Sequence, residues 1–560
     1  MLGNAKTIVD VVRARSSSDA LAYVFLADGT SASEQRWTFA DTARRSRAFA
    51  AHLADRGIHA GSRVVLATNP GLDYIAALFG IMMLGAIPVP CFPPLRTKEL
   101  DRFHAITVDC SPDGIVIDAM YSQQIDALHD LLTPFDLDPT VTYAEDVGAD
   151  ARGVDAVSPA AEDLALIQYT SGSTGSPRGV CLTHDNLVSN CQALDRSMGR
   201  DPDRVGLSWL PPYHDMGLMG TIVLSMYHGW PLVLMSPMHF VQQPRRWFKA
   251  ITDYRVSITV GPNFSLDLCA DSAGDEEFEN LDLSSVKELY CGAEPISVAT
   301  LDRFQGTSAP LGFDGRSLIP CYGMAEATLF VSGKRAGSRY RTEPAPQVDG
   351  DGRPVVSCGE VDSEHTVRIV DTAGRRPLPD GAVGEIWVSG RSVAAGYLNR
   401  PELTREVFDA RLPGDERSYL RTGDLGFLQS GELYVTGRIK DLIISSGRNI
   451  YPQDVEAAVM RADSALRGAA AFAVEGERLV VLAEATKRTS PESYPAMVDN
   501  IRSSVTSEFG VGPDVHICSE RTIPTTTSGK VRRQEAKRMF LADAIRLLHS
   551  DSLATQVCTA

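Results

Sequence analysis

Residues 169–179 read YTSGSTGSPRG; they begin at the end of an apolar run, LALIQYT at 164–170, and are followed by VCL at 180–182. Glycines let a backbone approach a ligand closely, and hydroxyls together with amide N–H groups can surround phosphate oxygens. The Gly-Lys-Ser/Thr ending of a Walker A loop is absent. Glycine spacing alone leaves a flexible surface loop as an equal alternative, but the position directly after a buried strand favours a phosphate-binding loop.

Short β-rich runs alternate with helical patterns on both sides of this loop. The runs are RVVLAT (63–68), GIVIDAM (114–120), LALIQYT (164–170), WPLVLM (230–235) and VSITVGP (256–262). Such alternation is typical of parallel sheets covered by helices. The pattern Thr183-His184-Asp185-Asn186 predicts the start of the helix that follows the loop.

From Val355 onward the sequence pattern predicts mainly strands and turns. A glycine-rich cluster that ends in GRIKD (437–441) is followed by a C-terminal region with patterns of both helices and strands. We therefore expect an α/β fold in which residues 1–437 form a large N-terminal domain of αβ-layered subdomains plus a β-rich subdomain. Residues 438–560 are expected to form a small α+β C-terminal domain.

Composition excludes several classes of protein. The chain has 560 residues, is 44% hydrophobic and 22% charged, and carries a net charge of −17. These values are ordinary for a globular protein and exclude disorder, collagen or coiled coil as descriptions of the whole. The negative charge argues against a broad surface for nucleic acid or anionic membranes.

Two further patterns indicate a cytoplasmic protein without an integral membrane segment. Ten cysteines are scattered without a C-x-x-C pair, which suits reduced thiols. No signal-peptide h-region is evident near the start. The apolar run at 75–92 approaches membrane-spanning length, but Pro88 and Pro90 interrupt it, so a buried helix followed by a short strand is the favoured interpretation.

The phosphate loop and further motifs resemble the adenylate-forming superfamily, which includes acyl-CoA synthetases, luciferases and nonribosomal adenylation domains. The resemblance extends from about Thr38 to Lys530, and its motifs occur in the order of that family. They are YCGAEP (290–295), CYGMAEAT (321–328), GEIWV (384–388), YLRTGD (419–424), GRIKD (437–441) and TSGK (527–530).

Two stretches, WLPPYHDMGL (209–218) and YGMAEATL (322–329), resemble the fatty acyl-AMP ligase branch. Members of this branch activate a fatty acid with ATP and pass the acyl group to a carrier protein rather than to coenzyme A. Where an amino-acid-activating domain would place an aspartate, this chain has GPNF (261–264), which favours an acid with an apolar tail.

The resemblance implies a nucleotide site. Asp424 would accept the ribose hydroxyls, Arg438 would reach the ribose or the phosphates, and Tyr322 would stack on adenine. The remaining expected nucleotide contacts come from the phosphate loop and two other motifs: Thr170, Ser171, Gly172, Ser173, Thr174 and Gly175; Gly292, Ala293 and Glu294; Gly323, Met324 and Ala325.

The resemblance also implies catalytic roles. Lys530 would bridge the substrate carboxylate and the α-phosphate, Glu326 together with Thr170 would bind Mg²⁺, and Lys440 would be the hinge of a mobile C-terminal domain. His214 could gate the acyl tunnel or contact the carboxylate, although a structural histidine is nearly as well supported.

The expected activity is conversion of a medium- or long-chain fatty acid and ATP to acyl-adenylate, followed by transfer to an acyl carrier protein in polyketide or lipopeptide synthesis. Residues 329–356 look shorter than the insertion usual in fatty acyl-AMP ligases, so a fatty acyl-CoA ligase remains an alternative. A non-catalytic nucleotide-binding scaffold is a third possibility. The presence of all three residues expected at the catalytic site, Glu326, Asp424 and Lys530, argues against it.

Overall fold

The computed structural model describes residues 5–95, 97–148, 156–170, 177–272, 280–346, 353–445, 448–474, 478–525 and 530–551. Contacts within the chain group it into two units. Unit 1 contains the described residues up to Val435 except 423–425, and unit 2 contains residues 423–425 together with those from Thr436 onward. The assignment of functions to residues 1–437 and 438–560 remains a prediction.

The helices are short to medium in length. They are α1 (Ile8–Arg15), α2 (Phe39–Ala54), α3 (Leu72–Met83), α4 (Thr97–Cys110), α5 (Ser122–Leu132), α6 (His184–Ser197), α7 (Asp215–Gly217), α8 (Leu224–His228), α9 (Pro237–Gln242), α10 (Arg245–Tyr254), α11 (Asn263–Ser272), α12 (Val298–Ser308), α13 (Pro401–Phe408), α14 (Pro452–Ala462), α15 (Tyr494–Phe509) and α16 (Arg533–Leu541).

The strands before residue 210 are β1 (Leu21–Leu26), β2 (Glu34–Thr38), β3 (Arg63–Ala67), β4 (Ile87–Pro90), β5 (Gly114–Ile117), β6 (Thr140–Tyr143), β7 (Leu164–Thr170), β8 (Arg178–Thr183) and β9 (Gly206–Ser208). Those of the middle part are β10 (Leu232–Met235), β11 (Ile258–Val260), β12 (Glu288–Cys291), β13 (Leu318–Gly323), β14 (Phe330–Gly333), β15 (Thr342–Pro344), β16 (Pro354–Val361), β17 (His365–Val370), β18 (Gly384–Gly390) and β19 (Gly396–Tyr397). The last strands are β20 (Leu420–Gln429), β21 (Glu432–Arg438), β22 (Ile443–Ser445), β23 (Arg448–Ile450), β24 (Leu466–Val474), β25 (Arg478–Ala485), β26 (Asp514–Ser519) and β27 (Leu547–Asp551).

A long mixed sheet has the order β17-β18-β20-β21-β16-β14-β13-β12-β11-β9-β10-β1-β2. The pairs from β13 through β12, β11, β9 and β10 to β1 are parallel, whereas β14 pairs antiparallel with both β13 and β16. A second sheet, β4-β3-β5-β6, is parallel throughout. The predicted α/β fold with a β-rich addition is confirmed, and the antiparallel part begins at β14, earlier than the expected change near Val355.

The strands that flank the phosphate loop differ from the expected parallel arrangement. β7 and β8 are antiparallel and form a separate sheet with the order β19-β8-β7. Residues 171–177 are too few to make the crossover of a dozen or more residues that a parallel pair requires, so the two strands can pair only as a hairpin.

The apolar run at 75–92 forms the second part of the buried helix α3 and the strand β4, as predicted. β4 is an end strand of its sheet, where a proline costs no ladder hydrogen bond on the open side, which accounts for Pro88 and Pro90. Across the described part of the chain, none of the helices combines the length and the apolar character that crossing a membrane requires.

Three helices of unit 1 begin at a threonine that caps the first turn. Thr183 accepts a hydrogen bond from the backbone of Asn186, whose side chain accepts one from the backbone of Thr183. Thr7 and Thr38 begin α1 and α2 with the same reciprocal pattern. The helix start predicted at 183–186 is therefore confirmed, and it fixes the direction of the chain after β8.

Unit 2 is a small α+β body. Its sheet has the order β24-β25-β26-β27, in which only the β25–β26 pair is parallel among the pairs described, and β22 and β23 form a separate hairpin. Helices α14 and α15 cover one face of the sheet and bury Val455, Val459, Val498 and Ile501 in a common apolar core.

The first turn of α6 contains a buried histidine that makes stability depend on pH. His184 Nδ1 accepts a hydrogen bond from the backbone N–H of Ile8 at 3.4 Å. Burial lowers the pKa of His184 from 6.5 to about 4, and Asp163 and Asp10 offset only part of this effect. The unfolded chain therefore binds a proton at a pH at which the folded chain does not.

We predict that the stability held by neutral His184 is fully present above pH 6.5 and is lost as the pH falls from 6.5 towards 4, by on the order of 3 kcal/mol. Chemical denaturation between pH 7 and pH 4 should show a shallower loss for His184→Asn than for the wild-type chain. His59→Gln, at an exposed position, is the control and should keep the wild-type slope. An unchanged slope in His184→Asn would contradict this account.

Candidate active site

The turn between β13 and β14 carries Glu326. This residue lies in a short 3-10 turn, Ala325–Ala327, and only 9% of it is exposed. Thr328, two residues after Glu326, has φ 68° and ψ −55°. The backbone N–H of Leu329 donates to Ala327 O at 2.8 Å, so the two residues that flank Thr328 are hydrogen-bonded to each other. These values define the strained form of the γ-turn, which is rare, above all for a β-branched residue. The strain is localised next to a buried carboxylate.

Buried polar groups hold this turn in place. Asn190 of α6 accepts from the backbone N–H of Phe330 and donates to Ala327 O and Phe330 O at 3.2 and 3.0 Å. Thr328 Oγ1 donates to Ser392 O at 2.6 Å, and the backbone N–H of residue 394 donates to Glu326 O at 2.9 Å. Hydrogen bonds from α6 and from residues 392–394 therefore hold the strained conformation of the turn.

Tyr397 of β19 contacts the Glu326 side chain. Its hydroxyl donates to Glu326 Oε1 at 2.9 Å. This tyrosine was not predicted from the sequence. The available signal was weak: a Gly-Tyr pair between a strand pattern and the Asn-Arg-Pro start of a helix. Its proximity to a residue 71 positions away arises only from the tertiary fold.

Thr170 and residues 177–179, at the two ends of the phosphate loop, are within the described part of the chain. Ser171, Gly172, Ser173, Thr174 and Gly175 lie outside the described residues. Thr170 is half-buried at the end of β7, and its register partner across the hairpin is Arg178. The hairpin base is anchored through Tyr169, whose hydroxyl donates to Asp109 Oδ2 at 2.6 Å.

The residues expected to surround adenine lie at one edge of the sheet. Gly292, Ala293 and Glu294 follow β12, and Tyr322 and Gly323 end the neighbouring β13, which is parallel to it. The carboxyl ends of adjacent parallel strands meet at the same edge, so the fold brings the two motifs together.

Backbone constraints explain several residue types at this edge. Ala293 has φ 69°, a conformation rare for a side-chain-bearing residue. A Cβ on Gly323 would lie 1.6 Å from Leu329 O, so only glycine fits beside the strained turn. Met324 and Ala325 follow it, and the backbone N–H of Met324 donates to Leu329 O at 2.8 Å.

Glu294 supports the wall of the candidate nucleotide site rather than facing solvent alone. Its Oε1 accepts from the backbone N–H of Phe264 at 2.6 Å, in the first turn of α11. This bond connects the turn after β12 to the GPNF stretch that the sequence analysis assigned to the acyl substrate.

The stretch 209–218 contributes aromatic packing on this side. The ring of Trp209 stacks on Phe240 with centroids 3.9 Å apart and meets Phe264 edge-on at 6.0 Å. Tyr213 O accepts from Gln168 Nε2 on β7 at 2.8 Å, which ties the stretch to the strand before the phosphate loop. His214 is half-buried, and its ring lies 5.3 Å from that of Tyr213.

Unit 2 contains the other predicted site residues. Asp424 is buried and pairs with Arg438, whose Nε lies 2.9 Å from Asp424 Oδ1. Lys440 is exposed in the short 3-10 turn Ile439–Asp441. Lys530 is half-buried, next to a bridge between Thr525 and Val531.

The segment that carries Lys530 is fastened to the predicted hinge turn. Arg533, at the start of α16, donates twice to Glu456 at 2.7 Å, and its guanidinium lies 3.4 Å from Asp441 Oδ2. Gln534 Nε2 donates to Lys440 O at 2.9 Å. Arg533 was not predicted from the sequence.

The donor set at Glu326 fits Mg²⁺. Magnesium prefers oxygen ligands and is usually bound by one or two carboxylates together with substrate phosphates. Glu326 supplies a buried carboxylate on the turn beside the expected adenine site, and Thr170 supplies a hydroxyl at the end of the strand before the phosphate loop. Among the residues that the structure describes, no group of three or more His, Cys, Asp and Glu side chains is arranged to hold a metal ion.

Known proteins match this chain over most of its length. The AMP-binding enzyme family matches residues 11–398. The medium-chain-fatty-acid–[acyl-carrier-protein] ligase JamA of Moorena producens is 36% identical over 564 residues, which cover 96% of this chain and 95% of that protein. The corresponding ligase TtuA of Teredinibacter turnerae is 34% identical, with 95% of this chain and 92% of that protein covered.

The fold matches a solved structure to the same extent. The fatty acyl-adenylate ligase from L. pneumophila in complex with acyl adenylate and pyrophosphate superposes with a TM-score of 0.74 at 34% identity, covering 98% of both chains. The chain belongs to the AMP-binding enzyme family and, within the adenylate-forming superfamily, to the fatty acyl-AMP ligase branch that its motifs indicated.

Proposed function

We propose that the protein is a fatty acyl-AMP ligase: it converts a medium- or long-chain fatty acid and ATP to acyl-adenylate and pyrophosphate, and then transfers the acyl group to an acyl carrier protein. The observation that carries the proposal is the buried Glu326 on a strained turn beside Tyr322 and the turn at 292–294. The relatives named as acyl-carrier-protein ligases support the same acceptor.

In the first step a carboxylate oxygen attacks the α-phosphorus, and the bond from that phosphorus to the pyrophosphate oxygen breaks. Two anions must approach each other, so the site has to supply positive charge and in-line geometry. Glu326 and Thr170 would hold Mg²⁺, whose charge would offset that of the phosphates. Lys530 places its ammonium between the carboxylate and the α-phosphate, where it stabilises the charge of the transition state.

Other residues bind the ribose and the adenine of the nucleotide. Asp424 accepts both ribose hydroxyls, a role for which a carboxylate with two acceptor oxygens is suited. Arg438, which pairs with Asp424, orients that carboxylate and can reach the ribose or phosphates. Tyr322 stacks on adenine, with Gly292 and Ala293 forming the opposite wall.

In the second step the thiol of the carrier's phosphopantetheine arm attacks the acyl carbonyl. A C–S bond forms, the mixed anhydride bond to AMP breaks, and the thiol proton passes to solvent. A rotation at Lys440 exchanges the adenylation pose for the transfer pose. Because Arg533 and Gln534 fasten the segment after Lys530 to the turn 439–441, we infer that this segment turns together with the hinge.

An apolar acyl chain is supported by the aromatic packing around Trp209 and Phe264. Asn263, in the GPNF stretch, is engaged by uncharged partners: it donates to Thr300 Oγ1 at 3.2 Å and accepts from Ser297 N at 2.9 Å. His214 lies on the same stretch as Trp209 and is proposed to gate the acyl tunnel.

The acceptor distinguishes this proposal from a fatty acyl-CoA ligase. The described part of residues 329–356 is anchored to unit 1: β15 pairs with β16, and Ala345 packs against Val355 and Phe427. Lys334 Nζ donates to Arg316 O at 2.8 Å and to Arg335 O at 3.1 Å. These contacts indicate that residues 329–356 form an ordered insertion and not a loose surface loop. Because such an insertion is usual in fatty acyl-AMP ligases, the contacts favour a carrier protein over coenzyme A as the acyl acceptor.

The setting we propose is the cytoplasm, in a pathway that makes polyketides or lipopeptides. All nine cysteines within the described residues are free thiols, as expected in a reducing compartment. The retained Glu326, Asp424 and Lys530 argue against a non-catalytic scaffold.

We predict that Lys530→Ala lowers the rate of pyrophosphate–ATP exchange by roughly 10²–10³-fold, the usual cost of removing one group that stabilises transition-state charge. The melting temperature should stay unchanged, because Lys530 is half-buried and belongs to no apolar core. Lys487→Ala, at an exposed position of the same unit, is the control and should keep full activity. Exchange at the wild-type rate in Lys530→Ala would contradict the catalytic role.

We further predict that dodecanoic acid, ATP, Mg²⁺ and free coenzyme A yield acyl-adenylate and little acyl-CoA, as measured by mass spectrometry of the products. Addition of an acyl carrier protein bearing phosphopantetheine should consume the adenylate and form acylated carrier. Acyl-CoA as the main product would favour the alternative ligase, and neither product would argue against a fatty-acid substrate.

A further inference from the structure

Tyr397 is fixed to the strand that leaves the phosphate loop. It pairs with Val180 of β8, and backbone bonds on either side extend the match: residue 395 N donates to Cys181 O at 2.9 Å and Leu398 N to Gly179 O at 2.8 Å. The backbone of Tyr397 therefore cannot shift without moving the strand that begins at Arg178.

The ring of Tyr397 is held from the other side by α13. Phe408 meets it edge-on, with centroids 5.0 Å apart and planes at 77°. The backbone N–H of Tyr397 donates to Thr404 Oγ1 at 3.0 Å. With 8% of the residue exposed, its side chain has little freedom to leave this position.

The polar end and the face of the ring contact two different parts of the candidate site. The hydroxyl donates to Glu326 Oε1 at 2.9 Å, and the guanidinium of Arg178 lies over the ring, 5.6 Å from its centroid. A phenol hydroxyl is a hydrogen-bond donor and an ionised carboxylate only accepts, so the proton of this bond lies on Tyr397.

We propose that Tyr397 is a positioning residue: it fixes the plane of the Glu326 carboxylate towards the Mg²⁺ of bound ATP and couples that carboxylate, through Arg178, to the end of the phosphate loop. The proposal rests on the proposed function, which assigns Glu326 to Mg²⁺. With Oε1 held by a rigid phenol, the direction of the second oxygen is set before the metal arrives. Groups that orient a metal-binding carboxylate in this way typically contribute 10–100-fold to metal affinity or activity.

The coupling to Arg178 follows from the register of the hairpin. Arg178 pairs with Thr170 at the base of the hairpin, and its guanidinium lies over the ring of Tyr397. The base of the hairpin, at Thr170 and Arg178, and the Glu326 carboxylate are thereby linked through one aromatic ring.

The test is the affinity for Mg²⁺ of Tyr397→Phe, a variant that keeps the ring and loses only the hydroxyl. Mg²⁺ is titrated calorimetrically into the full chain carrying an ATP analogue with a methylene bridge between the α and β phosphorus atoms. We expect the Mg²⁺ dissociation constant to rise roughly tenfold. The melting temperature and the affinity for the analogue measured without metal should stay at wild-type values.

Tyr254→Phe is the matched control, because its hydroxyl donates to the carboxylate of Glu34, the first residue of β2, and neither residue belongs to a motif of the site. This variant should bind Mg²⁺ like the wild type. Equal Mg²⁺ affinity in Tyr397→Phe and the wild type would overturn the positioning role, as would a weaker affinity for the metal-free analogue that accounts for the whole effect.

Glu326→Gln separates failure of this proposal from failure of the proposed function. If Glu326→Gln abolishes Mg²⁺ binding and Tyr397→Phe does not weaken it, only the role of Tyr397 is refuted. If Glu326→Gln binds Mg²⁺ normally, the metal assignment fails and the proposal for Tyr397 fails with it.

Discussion

The hydrogen bonds from Asn190 to Ala327 and Phe330 hold the strained turn that presents Glu326. A residue in the conformation of Thr328 costs about 1–3 kcal/mol. Three buried bonds from one amide side chain, at about 1 kcal/mol each, offset that cost. A regular hairpin between β13 and β14 would need no such support.

The same constraint explains neighbouring residue types. Gly323 has to be glycine because the turn brings Leu329 O to within 1.6 Å of where its Cβ would lie. Ala293, on the adjacent strand end, adopts a positive φ of its own. The positive φ values of Ala293, after β12, and of Thr328, in the turn that follows β13, constrain the backbone at this edge. In α/β sheets the carboxyl edge is where ligands bind.

Local patterns in the sequence predicted the parts of the fold that depend on local interactions. The capping residues Thr183 and Asn186 predicted the start of α6, and the prolines at 88 and 90 predicted that the apolar run 75–92 ends as a strand. Motif resemblance supplied the family and most site residues. Tyr397 and Arg533 were missed because their partners, Glu326 and Glu456, lie 71 and 77 positions away. The antiparallel pairing of β7 and β8 was predictable from the short loop but was obscured by the surrounding parallel pattern.

The most direct test of the account is a crystal structure of the chain with Mg²⁺, dodecanoic acid and the methylene-bridged ATP analogue. We predict that Glu326 and the phosphates of the analogue would both bind Mg²⁺, with Glu326 Oε1 still accepting from Tyr397. Magnesium coordinated elsewhere, with Glu326 turned away from the nucleotide, would contradict it.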